Sequence, residues 1–278
     1  MTVGIVGLGL IGGSMAKALK AHTRHRVLGM DIAESAMLKA EMMDSIDGRL
    51  TDELLPECDV VLVALYPRDI VAYVTERADR FGPGCLVVDI GGVKRAVTEP
   101  LAAVAAGRPW TFIGGHPMAG REFSGFTYAK DDLFDNASMI LSPYPDTPIE
   151  KIKRAKDFFL EMGFRMVKFA TPEAHDEMIA YTSQLAHIVS SAYVRSPLSE
   201  RHKGFSAGSF QDMTRVARLN ERMWAELFID NRALLLTELQ ALIDRLGEYR
   251  DRLLEDDFEG LKGLLRDGRL AKEKLDEP

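Results

Sequence analysis

The sequence predicts an α/β domain followed by an all-helical one, and three observations carry that expectation. Over the first 170 residues, short β-branched apolar runs alternate with amphipathic stretches, the pattern of βαβ units around a mostly parallel sheet. After Thr171-Pro172 apolar residues recur at helical spacing and no convincing strand follows. A glycine-rich turn, Gly7-Leu8-Gly9-Leu10-Ile11-Gly12, stands between the first apolar run and the first helical pattern. The expected domains are therefore residues 1–170 and 171–278.

Taken in order, Thr2–Val6 is a strand that enters the glycine turn, and Ser14-Met15-Ala16-Lys17-Ala18-Leu19 continues a helix that begins near Ile11. Val27–Asp31, Val60–Leu65, Leu86–Asp89, Phe112–Gly114, Ser138–Leu141 and Met166–Phe169 are the further strands. Helices are expected between them, beginning near Ala33, Arg68, Lys94 and Ile149. Thr171 suits an N-cap and Pro172 the first position of a helix. Leu227 to Leu246 is a long apolar-periodic segment, wider in apolar coverage than one solvent-facing helix needs.

With 278 residues, 46% of them hydrophobic, the chain can bury a sizeable core without disulfides. Cys58 and Cys85 lie in or beside apolar runs and form no ligand spacing, so reduced core thiols are expected and no metal site. The chain opens directly on a strand, and no apolar run approaches the roughly 18 residues of a membrane span. A cytoplasmic protein without a leader or membrane partner is expected. A net charge of −7 disfavours general nucleic-acid binding but leaves room for a basic pocket around a small anion.

The glycine turn has the context that a dinucleotide requires, directly after a strand and at the start of a helix. Gly7 permits the tight turn, Gly9 lets backbone approach a pyrophosphate, and Gly12 allows close helix–strand packing. Leu8, Leu10 and Ile11 complete the cradle, and the helix N-terminus offers unpaired N–H groups to the phosphates. Asp31 ends the second strand about twenty residues on, where a carboxylate binds the adenosine ribose. A Rossmann-like domain follows from these features together; the bland alternative is an ordinary βα turn with a surface aspartate. Ile32 and Ala33 after Asp31 provide no cation for a 2′-phosphate, so NAD is favoured over NADP, although Arg24, Arg26 or Lys39 could fold back.

Gly114-Gly115-His116-Pro117-Met118-Ala119-Gly120-Arg121-Glu122 closes a predicted strand, where ligands of open α/β sheets collect. On its own it is as readily a structured turn with a half-buried histidine. Two later segments change the balance: Ser183-Gln184-Leu185-Ala186-His187, and Phe210-Gln211-Asp212-Met213-Thr214-Arg215-Val216-Ala217. On an α-helix Ser183 and His187 are i and i+4 and share a face with Ala180. Together with Gly7 to Gly12, and in this order along nearly the whole chain, these segments resemble the prephenate dehydrogenase family, which includes arogenate and cyclohexadienyl dehydrogenases.

The resemblance implies an oxidative decarboxylation on the route to tyrosine, in which prephenate and NAD give 4-hydroxyphenylpyruvate, carbon dioxide and NADH. Such a reaction needs an acceptor at the ring hydroxyl, cations or donors for two carboxylates, and a nicotinamide against the ring. His116, with an unperturbed pKa near neutrality, is implied as the acceptor. His187 and Ser183 are implied to orient the substrate, and Arg215 to clamp the ring carboxylate in a bidentate way. Arg218 and Arg222 continue the same helical face and read as a solvated stripe. The resemblance also implies that the helical domain makes an interlocked homodimer.

Two positions depart from the family pattern. Gly92, in Asp89-Ile90-Gly91-Gly92-Val93-Lys94, stands where many members have serine and cannot donate a hydroxyl. Gln211 stands where arginine or lysine is frequent, which leaves the pocket's charge open. Alternatives are an arogenate dehydrogenase, a β-hydroxyacid dehydrogenase or imine reductase, and a catalytically silent dinucleotide-binding protein. The second would leave the His116 and Arg215 segments unexplained, and the third predicts damage at His116, His187 or Arg215, all of which are intact.

Overall fold

The first 170 residues supply one eight-stranded sheet, whose central strands are apolar runs buried on both faces. The computed structural model describes residues 1–277. The strands are β1 (Thr2–Val6), β2 (Arg26–Met30), β3 (Gly48–Arg49), β4 (Val60–Val63), β5 (Leu86–Asp89), β6 (Thr111–Pro117), β7 (Ser138–Pro143) and β8 (Met166–Phe169). They lie in the order β3-β2-β1-β4-β5-β6-β7-β8, all parallel to their neighbours except β6 against β7. Helices α1 (Leu10–His22), α2 (Glu34–Met42), α3 (Pro67–Glu76), α4 (Arg95–Ala105) and α5 (Ile149–Glu161) connect them.

Successive side chains of a strand point to opposite faces, so a strand covered on both must be apolar throughout. Along β4, Val60 and Leu62 join a core with Met15 and Leu19 of α1 and Phe158 and Phe159 of α5. Val61 and Val63 join a second core with Ile70 and Val74 of α3 and Val97 and Leu101 of α4. Burying each such side chain contributes about 1.5–3 kcal/mol. Cys58 and Cys85 are free and buried, and burial pushes their thiols up to about 11 and about 12.

Strand order reverses direction at β1 and β4, which opens a crevice beyond their C-terminal ends. β6 pairs with β5 only as far as Ile113 and runs on to Pro117 against β7. His116 is therefore carried inside β6, past the last residue paired with β5, rather than in a loop after the strand. β2 runs one residue earlier than Val27–Asp31 and stops at Met30, leaving Asp31 just outside. The two-residue β3 has no apolar alternation to announce it.

After Phe169 the described residues are helical: α6 (Pro172–Ile179), a π-helical turn (Ala180–Leu185), α7 (Ala186–Val194), α8 (Gly208–Thr214), α9 (Glu221–Asp230), α10 (Arg232–Leu254) and α11 (Phe258–Leu275). Thr171 caps α6, its hydroxyl accepting from the Ala174 N–H at 3.2 Å, with Pro172 in the first turn.

Three expectations are corrected. Ser183 and His187 do not follow α-helical i, i+4 spacing, because Ser183 lies in the π turn and its wider i→i+5 winding rotates the face. Arg218 and Arg222 do not continue the helical face of Arg215: Arg215–Ala217 is a short 3₁₀ turn, and the chain leaves it at Arg218 in an extended conformation before α9 begins. The segment Leu227 to Leu246 is two helices, interrupted at Asn231.

The chain packs as two compact units, Met1–Asn231 and the segment from Arg232 onward. The first holds the sheet together with α6 to α9. In the second, α10 and α11 are joined by a turn in which Asp257 caps α11, accepting from the Gly260 N–H at 2.9 Å.

Candidate active site

The glycine turn comes first because backbone alone dictates it. Gly7 has φ +89°, a left-handed conformation that side chains rarely adopt, and a Cβ there would strike the Ala64 carbonyl. A Cβ at Gly12 would collide with the Gly7 carbonyl, so glycine is what lets α1 sit against the strand it follows. A Cβ at Gly9 would meet nothing within 4 Å, so that glycine faces open space. Gly9 is also the N-cap of α1, with no side chain to satisfy the first-turn N–H groups and no acidic residue there. An uncapped, positively polarised helix end beside open space fits a pyrophosphate.

Asp31 is stitched to this turn. One carboxylate oxygen accepts from the Leu8 N–H at 2.7 Å and the other from the Ala33 N–H at 2.8 Å. Each oxygen keeps a lone pair for another donor. Leu8 is fully buried, whereas Leu10 and Ile11 are half-buried along the mouth of the turn.

A second group of polar side chains surrounds His116. Asp89, the last residue of β5, is fully buried and accepts N–H bonds from Gly91 and Gly115, both at 3.1 Å, and the Lys94 ammonium. Lys94 is itself fully buried and also donates to the Gly115 carbonyl. Burial pulls Lys94 down and pushes Asp89 up, each opposed by the other's charge.

His116 Nδ1 lies 2.8 Å from His175 Nε2 on α6, and His175 Nδ1 lies 2.7 Å from Asp176 Oδ1. Asp176 also accepts the backbone N–H groups of Lys94 and Arg95 at 2.7 and 2.9 Å, capping α4. Burial, then His175, then the Lys94 charge hold the His116 imidazole well below the usual histidine range. The neutral form expected at His116 thus persists to lower pH than an unperturbed histidine allows. His116 Nε2 lies 4.0 Å from where a Cβ on Gly92 would be, and that Cβ would approach Leu227 of α9 within 3.2 Å. The missing serine at Gly92 therefore coincides with Leu227 pressing into the same space.

Helix α9 links this group to the second histidine. One turn before Leu227, Trp224 packs against His187, the rings tilted by 49° with centroids 3.9 Å apart. His187 Nδ1 donates to the Val216 carbonyl at 3.1 Å, which leaves Nε2 as the free nitrogen. Burial lowers the His187 pKa, the Val216 bond raises it and Arg215 lowers it again, so Arg215 sits within electrostatic reach. The π turn is tied to the same helix: Gln184 donates to the Leu227 carbonyl at 3.0 Å, and Asn231 donates to Gln184 and to the Asp176 carbonyl, each at 2.8 Å. Ser183 is half-buried on this turn, and Arg215 and Gln211 are exposed. The Arg218 and Arg222 guanidiniums stand over the rings of Phe123 and Tyr66. Those rings follow β6 and β4, so neither arginine is a purely solvated charge.

The sequence reading missed His175, Asp176, Lys94, Trp224 and Leu227. Its one available signal was the His175-Asp176 pair four residues into a helix start, two polar residues where burial calls for apolar ones.

Comparisons with known proteins agree along the chain. Residues 15–168 match the family described as prephenate dehydrogenase, nucleotide-binding domain, and residues 171–267 the one described as prephenate dehydrogenase, dimerization domain. The prephenate dehydrogenase of Bacillus subtilis is 30% identical over 269 residues, covering 94% of this chain and 72% of that protein. The cyclohexadienyl dehydrogenase of Zymomonas mobilis is 28% identical, covering 97% of this chain and 94% of that one. Among solved structures, the A. aeolicus prephenate dehydrogenase in complex with hydroxyphenyl propionate and NAD+ superposes with a TM-score of 0.88 at 26% identity, over 99% of this chain and 98% of that one. Among the described residues no helix is long and apolar enough to cross a membrane.

Proposed function

The chain belongs to the prephenate dehydrogenase family, and from that premise we propose that it oxidatively decarboxylates prephenate, as a cytoplasmic homodimer. Residues 1–170 hold the dinucleotide, and 171–278 hold the substrate and the partner subunit. The cofactor is NAD, which when bound supplies the acceptor for the hydride that leaves the hydroxyl-bearing ring carbon. Gly7, Leu8, Gly9, Leu10, Ile11 and Gly12 cradle its pyrophosphate, and Asp31 receives its adenosine ribose.

The observation that carries the reading is His116, whose Nδ1 is engaged by His175 and whose Nε2 faces the space beside Gly92 and Leu227. Nε2 accepts the hydrogen bond of the substrate hydroxyl and takes its proton as that carbon becomes a carbonyl. The ring carboxylate then leaves as carbon dioxide, the electron pair of its carbon–carbon bond completing the aromatic ring. His116 returns the proton to the phenol oxygen, so no proton is gained or lost overall. Arg215 clamps the ring carboxylate before it departs, and His187 and Ser183 orient the substrate.

One observation favours arogenate as a second substrate. His187 spends Nδ1–H on Val216 and has a lowered pKa, so its Nε2 carries a lone pair. A lone pair accepts from an ammonium group, which arogenate has and prephenate lacks.

NADH formation with prephenate and arogenate in parallel tests both. His116→Asn should lower kcat by about 10²–10⁴ while the variant still binds NAD. The acid limb of the wild-type rate should lie below about 6.5, the ordinary histidine value, because the depressed pKa preserves the basic form. A variant with near-normal kcat, or an unchanged acid limb, assigns the proton to another group.

A further inference from the structure

The side chains behind His116 form a series, His175 and then Asp176, that ends on a carboxylate. The Asp176 carboxylate accepts a backbone N–H on each oxygen, from Lys94 and from Arg95, and acts here as an acceptor. Its Oδ1 faces His175 Nδ1 at 2.7 Å, so His175 carries a proton on Nδ1. His175 is 1% exposed, and its burial favours the neutral ring. A neutral His175 with its proton on Nδ1 has a bare Nε2. That nitrogen lies 2.8 Å from His116 Nδ1, which must then be the donor. His116 is left with a bare Nε2, turned toward Gly92.

We propose that His175 and Asp176 are positioning residues for the reaction: through two hydrogen bonds in series they hold His116 in the tautomer whose Nε2 can accept the substrate's proton. This rests on the reading of His116 as the acceptor. The same two bonds fix the ring's orientation, and when His116 becomes an imidazolium its Nδ1–H bond strengthens toward a ring already polarised by Asp176. Asp176 is held in turn by the N–H groups of Lys94 and Arg95, so its acceptor faces cannot be exchanged without disturbing the start of α4. The ionisable groups around His116 are His175 and Asp176 from α6, Lys94 from the start of α4 and Asp89 from the end of β5. Lys94 opposes a charge on His116, and Asp89 already pairs with Lys94, so Asp176 is the carboxylate aligned with the imidazole through hydrogen bonds.

Asp176→Ala removes the acceptor at His175 Nδ1. The carboxylate it deletes shares Oδ1 between the His175 Nδ1–H and the Lys94 N–H and gives Oδ2 to the Arg95 N–H. Without it the His175 proton is no longer held on Nδ1, and a proton on His175 Nε2 donates to His116 Nδ1, which places the His116 proton on Nε2 and blocks it. Nitrogen NMR of the ¹⁵N-histidine-labelled full chain reads this directly, without substrate. The wild type should show His116 with Nδ1 protonated and Nε2 bare, and Asp176→Ala a mixture in which a substantial share carries the proton on Nε2. In parallel, kcat of Asp176→Ala for prephenate should fall at least about tenfold while the KM for NAD stays within about threefold. His175→Gln, whose amide oxygen can accept from His116 Nδ1, should keep at least tenfold more activity than His175→Leu. A purely structural role would lower the melting temperature in all three variants without exchanging the tautomer.

A wild-type His116 protonated on Nε2 would overturn the proposal, and so would equal activity in His175→Gln and His175→Leu. If Asp176→Ala does not fold, the wild-type spectrum and the His175 pair still decide. A correct tautomer with no turnover of prephenate would instead count against the proposed substrate, so the two failures are distinguishable.

Discussion

Asp31 shows how a single side chain couples fold to cofactor choice. Its carboxylate binds the N–H of Leu8 inside the glycine turn and that of Ala33 at the start of α2, so it holds the turn and the end of β2 in one register. The charge that does this also repels a 2′-phosphate, and neither Ile32 nor Ala33 supplies a cation against it. NAD should therefore exceed NADP by at least tenfold in kcat/KM, equivalent to about 1.4 kcal/mol. Asp31→Asn removes the charge but keeps an acceptor for one of the two N–H groups, so it should narrow that ratio while raising the KM for NAD. Steady-state kinetics with both cofactors check this. Equal efficiency in the wild type would remove the argument from charge, and an unchanged ratio in Asp31→Asn would place discrimination elsewhere, with Arg24, Arg26 and Lys39 the first to be examined.

At the scale of elements, the turn between β1 and α1 separates two demands that the same motif imposes. Gly12 is required by packing, since a Cβ there would strike the Gly7 carbonyl, and backbone cannot step aside as a flexible side chain can. Gly9 is required only by a ligand, since its Cβ would point into open space. Gly12→Ala should therefore destabilise the fold by about 1–3 kcal/mol, as overpacking does. Gly9→Ala should leave the melting temperature of the free protein within about a degree and still weaken NAD binding at least tenfold. Thermal melts with and without NAD separate the two effects, and a Gly9→Ala variant with normal affinity would move the pyrophosphate away from this turn. That motif was legible in the sequence because its requirements are local: strand, turn and helix start are consecutive. The central strands were legible for a similar reason, as burial on both faces forces unbroken apolar runs. The partners of His116 were not. His175 lies 59 residues away and reaches His116 only because α6 packs beside the end of β6. The π turn at Ala180–Leu185 was equally hidden, since one extra residue per turn leaves an apolar pattern that still reads as helix.

For the whole molecule, the segment from Arg232 onward raises the question of what covers its apolar side chains. Of the large hydrophobic residues of α10 and α11, only Leu235 is buried, while Leu236, Ile243, Leu246, Leu253 and Leu254 are exposed on α10. Phe258, Leu265 and Leu275 are exposed on α11, with Phe258 at 73%. A two-helix segment of this size is too short to enclose a core of its own, and scattered single apolar side chains would need no explanation, but this many on two adjacent helices do. Residues 171–267 match a dimerization domain, and both helices lie largely within that span. A second copy of the chain is thus the partner proposed for these faces. Light scattering at micromolar concentration should give twice the chain mass of 30.9 kDa. Because association stabilises the folded state by mass action, the melting temperature should also rise with protein concentration. Replacing Leu246 and Leu253 by glutamate places two charges on the face of α10 without removing any buried side chain, since both are exposed in the single chain. That double variant should elute as a monomer with a lower melting temperature. A wild type that stays a stable 30.9 kDa species at micromolar concentration, with the double variant unaltered, would leave those faces open to solvent and defeat the dimer.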